Sequence, residues 1–201
     1  MMTDKKRKLY IFGISIIMNL VFFLAAYILK LPMWLDTTGT IYISLLLYFP
    51  AGFVVGLINN IILSLFFYGF NSIYYYVISA AVALITSVCV KKYGTHRVRF
   101  LFVLFCSVYI TSILLLIPLT IFVDNGVPSD YWGNYWYLHF IGIGINQYIS
   151  TVLVVCLIKL IDVIFAIFFV CSVYKITPLK IRKSDHVILR ERRISLHENQ
   201  V

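Results

Sequence analysis

Charged side chains are scarce in this sequence of 201 residues. Asp, Glu, Lys and Arg make up 12% of it, whereas apolar and aromatic residues make up 62%, and the mean hydropathy is +0.95. A soluble domain is nearer a quarter charged and about half apolar. The composition therefore excludes a free soluble globule and a disordered chain, and it indicates an integral membrane protein of one compact domain.

Cysteine is also rare, and the four residues lie apart in apolar runs at Cys89, Cys106, Cys156 and Cys171. None belongs to a CxxC pair or lies near a candidate histidine ligand, so we expect buried thiols, no disulfide framework and no metal site. Catalytic signatures are missing as well: the sequence has no Gly-rich phosphate loop, no His-Glu-x-x-His and no Gly-x-Ser-x-Gly. We therefore expect no enzyme activity and no cofactor.

Long apolar runs are abundant, and they cover residues 9–31, 38–67, 73–90, 100–123 and 146–174. The first is too long for the core of a signal peptide, so we expect it to be retained. The second exceeds the ~20 residues that one membrane helix needs, and Pro50-Ala51-Gly52 in its middle predicts a hairpin. Its first half, about 38–49, is too short to cross alone, so we expect it to be tilted or shielded by its neighbours.

The positions of the basic residues favour six helices over five. Six helices place 15 of the 17 cations on one side of the membrane, which is the cytoplasmic side by the positive-inside rule. We therefore predict an all-α, polytopic six-transmembrane-helix bundle over residues 1–174 with both termini cytoplasmic, followed by a basic cytoplasmic tail over 175–201. The three clusters are Lys5, Lys6, Arg7 and Lys8; Lys91, Lys92, Arg97 and Arg99; and Lys175, Lys180, Arg182, Lys183, Arg190, Arg192 and Arg193.

This charge distribution indicates that the net charge of +9 lies on the cytoplasmic side, where it attracts anionic lipid, and it does not indicate nucleic-acid binding. The predicted outer loops, 32–37, 68–72 and 124–145, contain aspartates but no Lys or Arg. In the third loop, residues from Tyr131 to about Ile143 are expected to form a short helix at the membrane interface, capped by Ser129 or Asp130.

Two segments resemble a known family of membrane proteins. The first is Leu31-Pro32-Met33-Trp34-Leu35-Asp36-Thr37-Thr38-Gly39-Thr40, followed by Pro50-Ala51-Gly52-Phe53-Val54-Val55-Gly56-Leu57-Ile58-Asn59-Asn60. It is similar to the Leu-Asp-x-x-Gly-Thr loop, hairpin and Gly-x-x-x-Gly-x-x-x-Asn helix of S components, the substrate-binding membrane subunits of energy-coupling factor (ECF) transporters. The second, Leu157-Ile158-Lys159-Leu160-Ile161-Asp162-Val163-Ile164, resembles the acidic-x-x-Asp-Lys segment of one branch, with Lys159 in place of the acidic residue and Val163 in place of the lysine.

The resemblance implies a substrate-capture subunit of a vitamin or micronutrient importer in a bacterial-type cell membrane. A membrane coupling subunit and two ATPase subunits are the implied partners, and they would supply the energy. Two alternatives stay open: a membrane sensor or regulatory subunit that signals through a cytoplasmic partner, and a small channel or structural membrane protein.

We expect a small organic ligand to bind on the outer side, between the first and third outer loops. Aromatic walls with a few polar groups suit such a ligand, although aromatic residues also collect at membrane interfaces for anchoring. The outer aspartates favour a neutral or cationic ligand. The candidate ligand-binding residues are Trp34, Asp36, Tyr75, Trp132, Asn134, Trp136, His139, Asn146 and Gln147.

Polar residues within the apolar runs need partners, because an unpaired polar group in hydrocarbon is costly. Asn59 and Asn60 are candidates for structural hydrogen bonding or for ligand contact. Lys159 and Asp162, three apart on one helix face, are candidates for an internal ion pair, for substrate binding or for coupling to a partner.

Small residues allow close approach of membrane helices. Gly52 and Gly56 on one helix, and Ser79 and Ala83 on the next, therefore predict either packing within the bundle or a docking face for a partner subunit.

Overall fold

The structure is a computed structural model that describes residues 4–47, 49–94 and 98–178, and within those ranges the chain forms helices and no strand. This result confirms the predicted all-α class. In the described part of the chain, five helical segments are long and apolar enough to cross a membrane: Lys5–Ile28, Phe49–Tyr68, Phe70–Tyr93, Arg99–Val123 and Gln147–Ile176. The α-helices are α1 (Asp4–Ile28), α2 (Thr38–Leu46), α3 (Phe49–Leu63), α4 (Tyr76–Tyr93), α5 (Val98–Val123), α6 (Tyr131–Gly142) and α7 (Gln147–Ile176).

The run 38–67 does divide into two helices, but the break precedes Pro50. Helix α2 ends at Leu46 and α3 begins at Phe49, so Pro50 lies in the first turn of α3. A proline there loses no helical hydrogen bond, because the first N–H groups of a helix have no partner within it. The sequence Pro50-Ala51-Gly52 therefore starts a helix and does not form the apex of the hairpin.

Helix α2 has nine residues, and all of them are buried. It contacts α1, α3, α4 and α7. The backbone N–H of Gly39 donates to Asn19 Oδ1 at 2.6 Å, and Asn19 Nδ2 donates to Thr40 Oγ1 at 3.1 Å. The short helix is thus enclosed by its neighbours, as the sequence predicted.

Residues 29–46 run from one end of the bundle to the other. Near the start of this segment, the Lys30 carbonyl accepts a hydrogen bond from Trp132 Nε1 of α6 at 2.5 Å. Near its end, the Tyr42 hydroxyl lies 2.8 Å from Thr177 Oγ1, just after α7. The first half of the segment is mostly extended and turning chain, and the second half is α2.

We name the two ends of the bundle by what they hold. The loop end contains the C-terminal ends of α1 and α5, all of α6 and the start of α7, where Thr151 Oγ1 donates to the Gly126 carbonyl. The basic end is opposite and contains Lys5, Lys6, Arg7, Lys8, Lys91, Lys92, Arg99 and Lys175. The other predicted cytoplasmic cations, Arg97, Lys180, Arg182, Lys183, Arg190, Arg192 and Arg193, lie outside the described residues, as does the tail from residue 179.

Helix α6 forms where the sequence predicts a short helix, and Asp130 is its N-cap. The Asp130 carboxylate accepts a hydrogen bond from the Gly133 N–H at 2.8 Å, which satisfies one of the free donors of the first turn. Tyr137 of α6 packs with Val154 and Ile158 of α7. The helix therefore lies along α7 at the loop end.

The small residues of α3 and α4 face each other inside the bundle. A Cβ added to Gly52 would lie 2.9 Å from the Ala83 Cβ, and one added to Gly56 would lie 2.9 Å from the Ser79 Cβ. All four residues are buried in contacts within this chain.

Candidate functional site

A cavity of about 170 Å³ lies in the loop-end half of the bundle. Its size is comparable to that of a protein cavity that holds one benzene ring, about 150 Å³. The walls come from α1, segment 29–37, α3, α4, α5, α7 and the connections beside them. The lining residues are Phe23, Trp34, Asp36, Thr37, Asn60, Leu63, Tyr68, Asn71, Ser72, Tyr75, Ile78, Ser79, Leu116, Thr120, Asp124, Pro128, Ser129, Asp130, Val155 and Lys159.

Asp162 of α7 anchors the non-helical segment that forms one wall. Its Oδ1 accepts hydrogen bonds from the backbone N–H groups of Trp34, at 3.0 Å, and Leu35, at 2.7 Å. Leu35 has a left-handed backbone with φ of 54°, which is unfavourable for a branched residue. Non-helical backbone at membrane depth is tolerated only where its polar groups are satisfied within the protein, and Asp162 does this here.

Lys159 lies one turn earlier on α7 and also faces the cavity. Its ammonium is 2.5 Å from Asp162 Oδ2 and 5.1 Å from the centre of the Trp34 ring. The pair is buried, with 4% of the Lys159 side chain and 0% of the Asp162 side chain exposed. The predicted ion pair is therefore present, and it compensates the charge of Lys159.

Asp36 exposes part of its side chain, and it lines the cavity. Asn59 Nδ2 donates to its backbone carbonyl at 3.1 Å and so fixes its position. Its carboxyl interacts electrostatically with Lys159 and Asp162 of α7.

Asn60 is 5% exposed and its side-chain amide is oriented by two acceptors. Its Nδ2 donates to the Gly56 carbonyl and to Ser79 Oγ, both at 2.9 Å. These two hydrogen bonds use both donors of the amide nitrogen. The amide oxygen, Oδ1, is therefore left as an acceptor at the cavity wall.

Two further carboxylates close the cavity towards the loop end. Asp124, just after α5, accepts a hydrogen bond from the Tyr75 hydroxyl at 2.5 Å. Asp130 caps α6, and its burial raises the pKa of the carboxyl. Tyr68, in a π-helical turn over Ser64–Tyr68 that follows α3, adds an aromatic wall.

Three of the predicted ligand-binding residues, Trp34, Asp36 and Tyr75, are brought together in this cavity. Trp132 and Trp136 instead pack beside the Tyr137 cluster between α6 and α7. Asn134 and His139 are exposed on α6.

Asn146 and Gln147 are exposed at the start of α7. Asn146 Oδ1 caps this helix by accepting from the Tyr148 N–H at 2.9 Å, and Gln147 Nε2 donates to the Asn125 carbonyl at 3.2 Å. Their side chains thus hold the helix start and the preceding connection, and a role in ligand binding stays a prediction for these six residues outside the cavity.

Several lining residues are absent from the predicted set of ligand-binding residues. The sequence indicates Asp124 and Asp130 only as outer-loop carboxylates, whereas for Asn60 and Lys159 it offers ligand contact as one of the alternatives. Phe23 belongs to the first apolar run and Tyr68 to the predicted loop 68–72, and nothing local distinguishes a cavity wall from a lipid-facing position at either residue.

The arrangement can enclose one small molecule between aromatic rings and offer it hydrogen-bond acceptors. Within the described part of the chain, no group of three His, Cys, Asp or Glu side chains is placed to hold a metal ion. Comparisons of the chain with models of protein families, with curated proteins and with solved structures find no match.

Proposed function

We propose that the protein is a membrane-embedded substrate-capture subunit that binds a small organic molecule in the loop-end cavity, as part of an ECF-type importer. The observation that carries the proposal is the cavity itself, which has the size of a one-ring ligand and combines aromatic walls with a few oriented polar groups. Such a lining is typical of small-molecule sites. The similarity of residues 31–60 and 157–164 to S components adds the transporter class.

The proposed topology has six crossings, with both termini in the cytoplasm. Five crossings are the long apolar helices, and the sixth is segment 29–46, which runs from the loop end to the basic end. With the basic end in the cytoplasm, as the positive-inside rule requires, the cavity opens towards the outside, where an importer meets its substrate.

Gentle purification followed by mass spectrometry of retained small molecules tests the binding function. Val155 is 2% exposed and lines the cavity, so Val155→Phe fills it, whereas Leu153→Phe on the same helix adds the same ring at a side chain that is 43% exposed. We expect a compound that is retained by the native chain and by Leu153→Phe, and lost from Val155→Phe.

A second pair of variants covers the case in which one cavity variant does not fold. Leu116→Phe fills the cavity from α5, and Leu114→Phe, at a 65% exposed position, is its control. If folded variants of both cavity positions retain the same compound as the native chain, or if the native chain retains none, the cavity is not a substrate site.

Co-purification tests the importer class separately. We expect a membrane coupling subunit and two ATPase subunits to be recovered with the chain from its native membrane. Recovery of a signalling protein instead, with no ATPase subunit, would favour the membrane sensor.

A further inference from the structure

Two polar side chains of the cavity wall, Asp36 and Asn60, present acceptors to a ligand. Asp36 presents a carboxylate to which no described residue's side chain donates, and Asn60, nine-tenths buried, presents Oδ1 while its Nδ2 is held by Gly56 and Ser79. A ligand that satisfies both acceptors must bring its own N–H or O–H donors, since a buried acceptor without a donor is unfavourable.

The charge of the lining is negative. The carboxylates of Asp36, Asp124 and Asp130 face the cavity, and its one cationic lining residue, Lys159, is already compensated by Asp162. Asp124 holds the Tyr75 hydroxyl, and Asp130 holds the first turn of α6. Asp36 is thus the carboxylate left for a ligand, and an anion in the same space would be repelled.

Aromatic rings surround these acceptors. Phe23, Trp34, Tyr68 and Tyr75 line the cavity, and the face of Trp34 already receives the Lys159 ammonium at 5.1 Å. Aromatic faces attract cations and stack on flat rings, and the volume accommodates about one ring.

We propose that the ligand class is a small organic cation: one flat ring carrying a protonated amine, with the ammonium between Asp36 and the Asn60 amide oxygen. This inference rests on the proposed binding function and specifies its substrate class.

Three one-ring probes of different charge, benzylamine, benzyl alcohol and benzoate, test the inference by isothermal titration calorimetry on the full chain in lipid nanodiscs. We expect benzylamine to bind about tenfold or more tightly than benzyl alcohol, because a charge-assisted hydrogen bond is worth more than a neutral one, and benzoate not to bind. Asp36→Asn should lower benzylamine affinity by about tenfold or more and leave benzyl alcohol nearly unchanged.

Asp124→Asn is the matched control. It removes a carboxylate of the same cavity, but one that already accepts a hydrogen bond from Tyr75. We expect it to reduce benzylamine affinity less than Asp36→Asn does. Equal effects of the two substitutions would overturn the placement of the ammonium at Asp36.

The remaining outcomes separate this inference from the proposed function. Binding of benzyl alcohol or benzoate as tight as that of benzylamine overturns the cation class, and so does an absence of benzylamine binding. In either case, a native compound that is lost from Val155→Phe and kept by Leu153→Phe would still support a substrate site.

Discussion

Asp162 joins three groups from separate parts of the chain: the N–H groups of Trp34 and Leu35, and the ammonium of Lys159. Each of these donors would be costly without a partner in a membrane interior. The carboxylate therefore stabilises the backbone of segment 29–37 and neutralises the buried charge of Lys159.

Replacing Asp162 by Asn is expected to lower the free energy of unfolding by about 3–5 kcal/mol, because it leaves the Lys159 ammonium buried without a counter-charge. Thermal and denaturant unfolding in nanodiscs measure the change. The Lys159→Met/Asp162→Asn double variant is the control, since it contains no unpaired charge, and it should be more stable than Asp162→Asn alone. If the free energy of unfolding of Asp162→Asn lies within about 1 kcal/mol of the native value, the ion pair is not required for stability.

The ion pair at Lys159 and Asp162 was predictable because residues three apart on a helix face are neighbours. The hydrogen bonds from Asp162 to Trp34 and Leu35 were not, since they join residues more than 120 positions apart. No local sequence pattern indicates that these residues are in contact.

Helix α2 directly follows the segment that forms one wall of the cavity, and α2 approaches α1 closely. A Cβ on Gly39 would lie 1.8 Å from the Ser15 carbonyl oxygen, so only glycine fits. The Asn19 side chain then bonds the Gly39 N–H and the Thr40 hydroxyl across the same contact.

Gly39→Ala is expected to destabilise the fold by about 3 kcal/mol or more, because backbone must move to admit the methyl group. Gly13→Ala on α1 is the matched control, since a Cβ there meets nothing within 4 Å and alanine favours helix. Unfolding measurements on the two variants should differ clearly. Equal stability would mean that α2 does not rest against α1 in this way.

Local signals predicted several elements well. A cap at Ser129 or Asp130 indicated the start of α6, and the length of run 38–67, its Pro50-Ala51-Gly52 and the positions of the cations indicated two helices. Where the α6 aromatics lie could not be predicted, because successive residues of a helix point about 100° apart. Trp132 and Trp136 face α7, whereas Asn134 and His139 are exposed, so one short helix does not direct them all into one site.

Over the described part of the molecule, the cavity lies at the end of the bundle opposite Lys5, Lys6, Arg7, Lys8, Lys91, Lys92, Arg99 and Lys175. The proposed orientation predicts that Asn134→Cys, in a chain whose four native cysteines are replaced, reacts with a membrane-impermeant maleimide on intact cells. Tyr93→Cys in the same background should react only after permeabilisation. The reverse pattern would place the cavity in the cytoplasmic half and contradict an importer.

The central claim is that the loop-end cavity holds one small molecule per chain, and native mass spectrometry of protein released from its own membrane measures this directly. We predict a single mass increment on the native chain and on Leu153→Phe, released on activation, and none on folded Val155→Phe. An increment of equal size and occupancy on Val155→Phe, or no increment on the native chain, would contradict the account.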